Sequence, residues 1–340
     1  MRALFDRWAA TELKPHIRAD GSRTGRKDGG EYLRQQFDKR VFPEVGEFAA
    51  GEIRKADLLA ILDRAKADGK LRTANVLLAG LKQMFRFALA REIVERNPLD
   101  TVTKRDAGGA ETGRERVLSA DEITQLSQPQ ALTPLSVRSA AAIWIILATG
   151  CRVGELMNAR WENIDLDQSR WYLPDTKNGR DHTIHLSAFA LEHFASLAGT
   201  RERGNDGKLL PWLIPNSKGT GPVDIRSFGK QLADRQRPPE KRLKGRSKAT
   251  SSLSLPGGRW TAHDLRRTAA TVMAQLGVSG DVIDECLNHV IESRIRRTYI
   301  RDRRPTEQAR AFDALGAKLT ALVAPNKSQS GTASSYASQR

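Results

Sequence analysis

The sequence predicts a mainly α-helical protein of two domains, with a small antiparallel β element in the second, on three observations. The chain has 340 residues and 39% hydrophobic content, too long for one ordinary core and apolar enough for two. Apolar residues recur at helical spacing along most of its length. One pair of segments, residues 170–173 (RWYL) and 182–186 (HTIHL), alternates as strands do, across the turn-forming DTKNG of residues 175–179.

Residues 1–100 read as a bundle of amphipathic helices at 4–13, 31–42, 55–68 and 71–91, with a Gly- and Arg-rich turn after the first. In the last helix Val76, Leu77, Leu81, Met84, Phe85 and Ala88 share a stripe, with Lys82, Arg86 and Arg91 off it. Asn97-Pro98 closes this unit. Residues 101–116 (TVTKRDAGGAETGRER) are rich in Gly, Thr and charge without apolar periodicity, and read as an interdomain linker. The second domain is expected over 117–324. Ser119 and Glu122 form a capping box at its first helix, ahead of the apolar Ile123 and Leu126. Residues 140–148 (AAAIWIILA) read as a core helix, far short of the roughly 20 residues that cross a bilayer. The two strands make a hairpin with Lys177 at its tip. Thr261 serves as N-cap of another helix with Asp264 at its third position. The stretch 307–323 carries Ala311, Leu315, Leu319 and Leu322 on one side, a face for a neighbouring protomer or for its own domain. The polar tail 325–340 (PNKSQSGTASSYASQR) has no core pattern and is expected to be disordered.

The chain carries 56 Lys plus Arg against 40 Asp plus Glu, a formal charge of +16, which points to a polyanionic partner. Charge alone suits RNA, DNA or an anionic membrane surface. The absence of a signal-peptide pattern or a membrane-length apolar run argues against the membrane. Cys151 and Cys286 lie apart in apolar helical surroundings, which suits reduced cytosolic thiols and neither a disulfide framework nor a zinc site.

Six scattered polar residues carry the chemistry: Arg152, Lys177, His263, Arg266, His289 and Tyr299. A phenol, two guanidiniums, an ammonium and two imidazoles can open a phosphodiester through a covalent intermediate without metal or nucleotide. Each has an ordinary reading taken alone. Arg152 starts a helix after the break at Thr149-Gly150, where an anion would meet it, yet with Glu155 it reads on its own as a surface ion pair. Lys177 reads as a solvated turn lysine or as a general acid at a scissile phosphate, with Arg180 and His182 as rivals. His263 and Arg266 share one helix face and could reach one phosphate, while Arg267 points about 100° away. His289 alone suggests a structural histidine. Of four tyrosines, Tyr32 and Tyr172 sit where packing is the expected role and Tyr336 lies in the tail; Tyr299 alone lies in an arginine-dense segment (SRIRRTYIR). Residues 235–248 (RQRPPEKRLKGRSK), with Arg235, Arg237, Lys241, Arg242, Lys244, Arg246 and Lys248, read as a solvated charge run or a DNA-backbone contact.

In this order and these contexts (TGCRVGEL, TKNGR, HDLR, LNHV, then Tyr299) the residues resemble the tyrosine recombinases, the phage-type integrases, over nearly the whole chain. The resemblance implies a helical, SAM-like core-binding domain and a mostly α catalytic domain with a small antiparallel sheet, together clamping a DNA duplex. It implies that Arg152, Lys177, His263, Arg266 and His289 surround the scissile phosphate, that Glu155 supports them, and that Tyr299 is the nucleophile. It further implies a homo-tetramer on two double-stranded DNA duplexes, no cofactor and no metal, an accessory excision or DNA-bending factor, and a cytoplasmic, nucleoid-associated setting. Two departures stand out. Asn288 occupies the place of the family's glycine before the second histidine, which bears on the backbone there. The chain also begins directly with core-binding helices, as in two-domain members or in a truncated longer one. Competing readings are a topoisomerase IB-like relaxing enzyme and a catalytically silent DNA-binding protein. A metal-dependent nuclease would need clustered carboxylates that this sequence lacks.

Overall fold

The computed structural model describes residues 1–340 apart from 19–22, 112, 114, 177–178, 290–303 and 325–340. The chain divides into two units, Met1–Arg114 and Glu115–Arg340.

In the first unit, α1 (Arg2–Trp8) runs into a π-helical turn over Ala9–Leu13. A two-stranded ribbon follows (β1, His16–Ile17; β2, Arg23–Thr24), then α2 (Glu31–Arg40), α3 (Phe42–Val45), α4 (Lys55–Ala67) and α5 (Leu71–Leu89). Every helix expected from periodicity is present. The stripe of α5 buries Leu77, Leu81, Met84, Phe85 and Ala88, with Val76 half-buried. Phe5 joins α1 to α2 and α3, its ring centroid 4.6 Å from Phe37 and 5.6 Å from Phe42. Tyr32, expected to pack, is instead 48% exposed on the outer face of α2.

The segment read as a linker begins as part of this unit. Val102 and Ala107 are buried. Asn75, buried on α5, accepts from Gly108 N (2.9 Å) and donates to Gly109 O (3.0 Å) and Glu111 Oε1 (3.2 Å), so the amide holds the strip down. The approach is close enough that a Cβ on Gly108 would lie 1.9 Å from Leu71 O. A buried amide with three partners can fix a segment that has no apolar repeat, which is why composition read it as linker.

The second unit comprises α6 (Ala120–Ser127), α7 (Pro129–Leu132), α8 (Val137–Thr149), α9 (Val153–Met157), three strands (β3, Ile164–Asp165; β4, Arg170–Leu173; β5, His182–His185), α10 (Ala188–Ala198), α11 (Ile225–Arg235), α12 (Ala262–Gln275), α13 (Gly280–Cys286) and α14 (Pro305–Val323). Its core is built around α8, whose residues from Ala141 to Thr149 are all buried, and which packs against α10, α12 and α14. The capping box at α6 forms as expected: Ser119 Oγ accepts from Glu122 N (3.2 Å) and Glu122 Oε2 accepts from Ser119 N (2.9 Å). Arg116 and the Gly257 amide also bind Glu122, so the residue at the expected end of the linker is anchored in this unit. Burial works to raise the Glu122 pKa, but these donors outweigh it and hold the carboxyl below its ordinary range.

The strands form an antiparallel sheet in the order β3-β4-β5, with Trp171 opposite Ile184 and Leu173 opposite His182. Alternation turns Trp171, Leu173, His182 and Ile184 inward and leaves Tyr172, another tyrosine expected to pack, 43% exposed. Helix α14 buries Ala311, Phe312, Leu315 and Leu319 against its own unit, which decides between the two uses open to that face.

His193 on α10 stacks on Trp144 at 6.0 Å and meets Phe189 at 4.8 Å, and its buried Nε2 has no hydrogen-bond partner among the described residues. Burial pushes its pKa from 6.5 down to about 4. A folded pKa below the unfolded one leaves stability intact above pH 6.5 and removes it as pH falls toward 4. Urea unfolding should therefore register a loss on the order of 3 kcal/mol from this group across that window. His193→Phe should flatten that part of the stability profile.

Candidate active site

Four consecutive residues at the C-terminal end of α13, Cys286 to His289, gather the candidate residues. Cys286 O accepts from His182 Nε2 (3.1 Å), Leu287 O from Arg266 Nη2 (2.5 Å) and Asn288 O from Arg152 Nη2 (3.3 Å). His289 N donates to Asp284 O (2.8 Å), closing the turn onto the helix it leaves. Three carbonyls at a helix end have no intrahelical partner. Here they are satisfied by a strand, by α12 and by the residue preceding α9.

Arg152 caps α9 from an extended conformation, just before the first turn. Glu155 holds it twice, accepting from its backbone N (2.7 Å) and from Nη1 (2.8 Å). With side chains 22% and 9% exposed, the two form a recessed pair in place of the surface ion pair that was the alternative. The break before Arg152 is demanding. Gly150 has φ 59°, and a Cβ there would lie 2.6 Å from Leu287 Cδ2. Its carbonyl accepts from Arg266 Nη1 (2.5 Å).

Arg266, 4% exposed, is thus bonded to two carbonyls and to no carboxylate among the described residues. Burial first, and the charge of Arg152 second, push its pKa down to about 10, so it stays cationic at neutral pH. His263, one turn earlier on α12, is exposed; Thr261 and Asp264 cap that helix as expected, Asp264 Oδ2 accepting from Thr261 N at 2.9 Å. Desolvation, then Arg267 and Arg266, hold the His263 imidazole below its ordinary range, so it is neutral at pH 7. A neutral ring can accept a proton on one nitrogen and donate from the other. His289 is exposed, with Nδ1 2.9 Å from Asp284 Oδ1, the carboxylate accepting from that ring nitrogen.

Arg152, Glu155, His263 and Arg266 therefore converge, and His289 follows directly on the turn whose carbonyls hold the two arginines. Lys177 and Tyr299 lie outside the described residues, as does Tyr336. The residues bracketing them are described: Thr176 and Gly179 at the hairpin turn, and His289 and Arg304 on either side of 290–303. Arg304 pairs with Glu285 (2.7 Å), the neighbour of Asp284. His182, a rival for the lysine's role, is buried and spent on the Cys286 carbonyl. The thiols of Cys151 and Cys286 are buried, which pushes both up to about 12 and keeps them protonated.

The basic loop is partly self-engaged. Arg235 donates to Pro134 O (2.8 Å) and Gln231 O (3.2 Å), and Arg246 pairs with Asp234 (2.7 Å), which Arg237 also approaches at 3.6 Å. Arg242 donates to Ser247 O and Arg246 O, yet remains exposed with Lys241, Lys244 and Lys248. Sequence reasoning missed Asp284, Thr176 and the side-chain roles of His182 and Asn288. Strand alternation carried a signal for His182, which falls in register with the inward Ile184.

Comparison with known proteins bears on this arrangement. The profile of the Phage integrase family matches residues 116–304, and that of the Phage integrase central domain matches residues 18–105. The chain belongs to the phage integrase family of tyrosine recombinases. This integrase-family chain is similar to Prophage integrase IntA of Escherichia coli (strain K12), 25% identical over 83% of this chain and 64% of that protein. It is also similar to Tyrosine recombinase XerC of Lactobacillus delbrueckii subsp. bulgaricus, 24% identical over 74% of this chain and 80% of that one. The chain spans 64%, 40% and 56% of three relatives it matches, IntA, Prophage integrase IntZ and the Integrase of Escherichia phage HK022. In structure it is similar to lambda integrase in a dimer bound to a COC′ core site (TM-score 0.63, 20% identity, 89% of this chain and 96% of that chain). A second likeness is to the Tn1549 transposon integrase with circular intermediate DNA (TM-score 0.58, 16% identity, 91% and 97%). The fold is that of the tyrosine recombinases.

Gly150 tests how tightly the two arginines are built in. Gly150→Ala should lower the unfolding free energy by about 1–3 kcal/mol, from the left-handed backbone and the collision with buried Leu287. Urea titration followed by circular dichroism measures it.

Proposed function

We propose that this chain is a site-specific DNA recombinase, an integrase that cuts and rejoins strands through a 3′-phosphotyrosine intermediate in the integration or excision of a mobile element. The observation that carries this reading is Arg266. Among the described residues the donors of this buried guanidinium meet only carbonyls, and with Glu155 the one carboxylate charge noted beside two guanidiniums the cluster stays net positive, which a phosphate diester would balance. The exposed imidazole of His263, beside the arginines, and that of His289, on the adjoining turn, suit hydrogen bonding to phosphate oxygens.

In this reading the Tyr299 hydroxyl attacks phosphorus as the bond to the 5′ oxygen breaks. Arg152 and Arg266 balance charge on the phosphorane, with Glu155 orienting Arg152. His263, neutral at pH 7, accepts or shares a proton, and Lys177 protonates the departing 5′ oxygen. Attack by a 5′ hydroxyl of another duplex reverses the step and restores the phenol. The exposed Lys241, Arg242, Lys244 and Lys248 suit contacts to the DNA backbone. Arg235, Arg237 and Arg246 hold the loop that presents them. A tetramer on two duplexes is part of the proposal; lambda integrase, of similar fold, has been seen as a tetramer bound to a Holliday junction. An accessory bending or excision factor and an intracellular, nucleoid-associated setting accompany it.

The test is covalent capture. The protein is incubated with a randomised pool of nicked duplexes, without added metal, and denaturation-resistant adducts are recovered and sequenced. Wild type should yield an adduct on a defined site, and Tyr299→Phe none. Arg266→Met should slow adduct formation on the order of 10²–10³-fold or more. Adduct formation by Tyr299→Phe would reassign the nucleophile, and tight binding without any adduct would favour a silent DNA-binding protein.

A further inference from the structure

The departure at Asn288 has a structural use. Its φ is 48°, in the left-handed region where glycine is at ease and asparagine is among the better-tolerated alternatives. A glycine would meet that backbone requirement alone. Asparagine adds an amide, and its Nδ2 donates to Thr176 Oγ1 at 3.0 Å. The Thr176 hydroxyl passes its own proton on, donating to Arg180 O at 2.7 Å, while Thr176 O accepts from Gly179 N at 3.0 Å. One hydroxyl thereby accepts from the turn and donates across the mouth of its own loop, using both capacities of the group. Thr176 is 4% exposed, so these bonds are shielded from water. The backbone of Asn288 meanwhile accepts from Arg152. A single residue thus binds an arginine of the phosphate cluster through its main chain and the hairpin loop through its side chain.

We infer that Asn288, acting through Thr176, is a positioning residue that holds the two flanks of the hairpin turn, Thr176 and Arg180, to the same turn that binds Arg152. The inference rests on the reading of Lys177 as general acid. His182 supplies a second tether from the same hairpin to Cys286 O, so removing the Asn288 amide loosens the loop without releasing the sheet. The affected step is proton delivery to the departing 5′ oxygen, whereas charge balance by Arg152 through the Asn288 carbonyl survives a change of side chain.

The experiment compares two substrates of the captured sequence, one normal and one with sulfur in place of the bridging 5′ oxygen at the scissile phosphate. A thiolate leaves without being protonated, so the sulfur substrate does not need the general acid. Single-turnover cleavage by Asn288→Gly and Thr176→Val should slow on the order of tenfold or more on the oxygen substrate. On the sulfur substrate both should stay within about twofold of wild type, the residual expected when a general acid is no longer required. Thr176→Ser, which keeps the hydroxyl, should restore the oxygen rate. Thermal unfolding of each variant identifies any that fails to fold, and two variants at different positions keep the test independent of one. Equal slowing on both substrates, or no slowing on either, overturns the inference. Lys177→Ala separates the two claims: if sulfur rescues it and not Asn288→Gly, the positioning role alone fails; if sulfur does not rescue Lys177→Ala, the general-acid reading fails and the inference with it.

Discussion

Burying Arg266 imposes a constraint that the rest of the second unit answers. A desolvated guanidinium needs its donors satisfied, and the available acceptors are main-chain carbonyls at two chain breaks, Gly150 after α8 and Leu287 after α13. Both helices must therefore end where they do. Gly150 takes a conformation that a larger residue resists, and Leu287 fills the space above it. The carbonyl dipoles solvate the cation without supplying negative charge, and Glu155 offsets one charge of the two arginines, so among the described residues the cluster keeps a net positive charge that suits an anion.

The remaining groups are arranged around that incompleteness with little freedom. Arg152 is gripped at two atoms by Glu155 and at a third by the Asn288 carbonyl. The β4-β5 hairpin is stitched to the same turn by His182 and by the Asn288 amide. Such preorganisation matters in phosphoryl chemistry, where positioned charges need not reorient as the transition state forms.

Much of this was legible in the sequence because it rests on local rules. The Ser119 capping box, the break at Gly150, the Thr261 and Asp264 cap and the strand alternation of RWYL each follow from a few neighbouring residues. What could not be read depends on partners far along the chain. Asn75 holds Gly108 from 33 residues away, so a strip without apolar periodicity passed for linker. Thr176 and Asn288 are 112 positions apart, and nothing local to either names the other. Arg235 looked like its neighbours in a charge run, yet it folds inward onto Pro134 O. Tyr32 and Tyr172 sit on helix and strand, but on their outer faces, which composition does not distinguish.

Asp284 and Glu285, adjacent on α13, anchor His289 and Arg304, the two feet of the span 290–303. Tyr299 stands five positions before Arg304 in the sequence. Whatever path the chain takes, covalent geometry keeps its Cα within roughly 18 Å of the anchored Cα of Arg304. On the proposed reading of Tyr299 as nucleophile, the helix end that shapes the arginine cluster thus also holds the tether that limits how far the phenol can range.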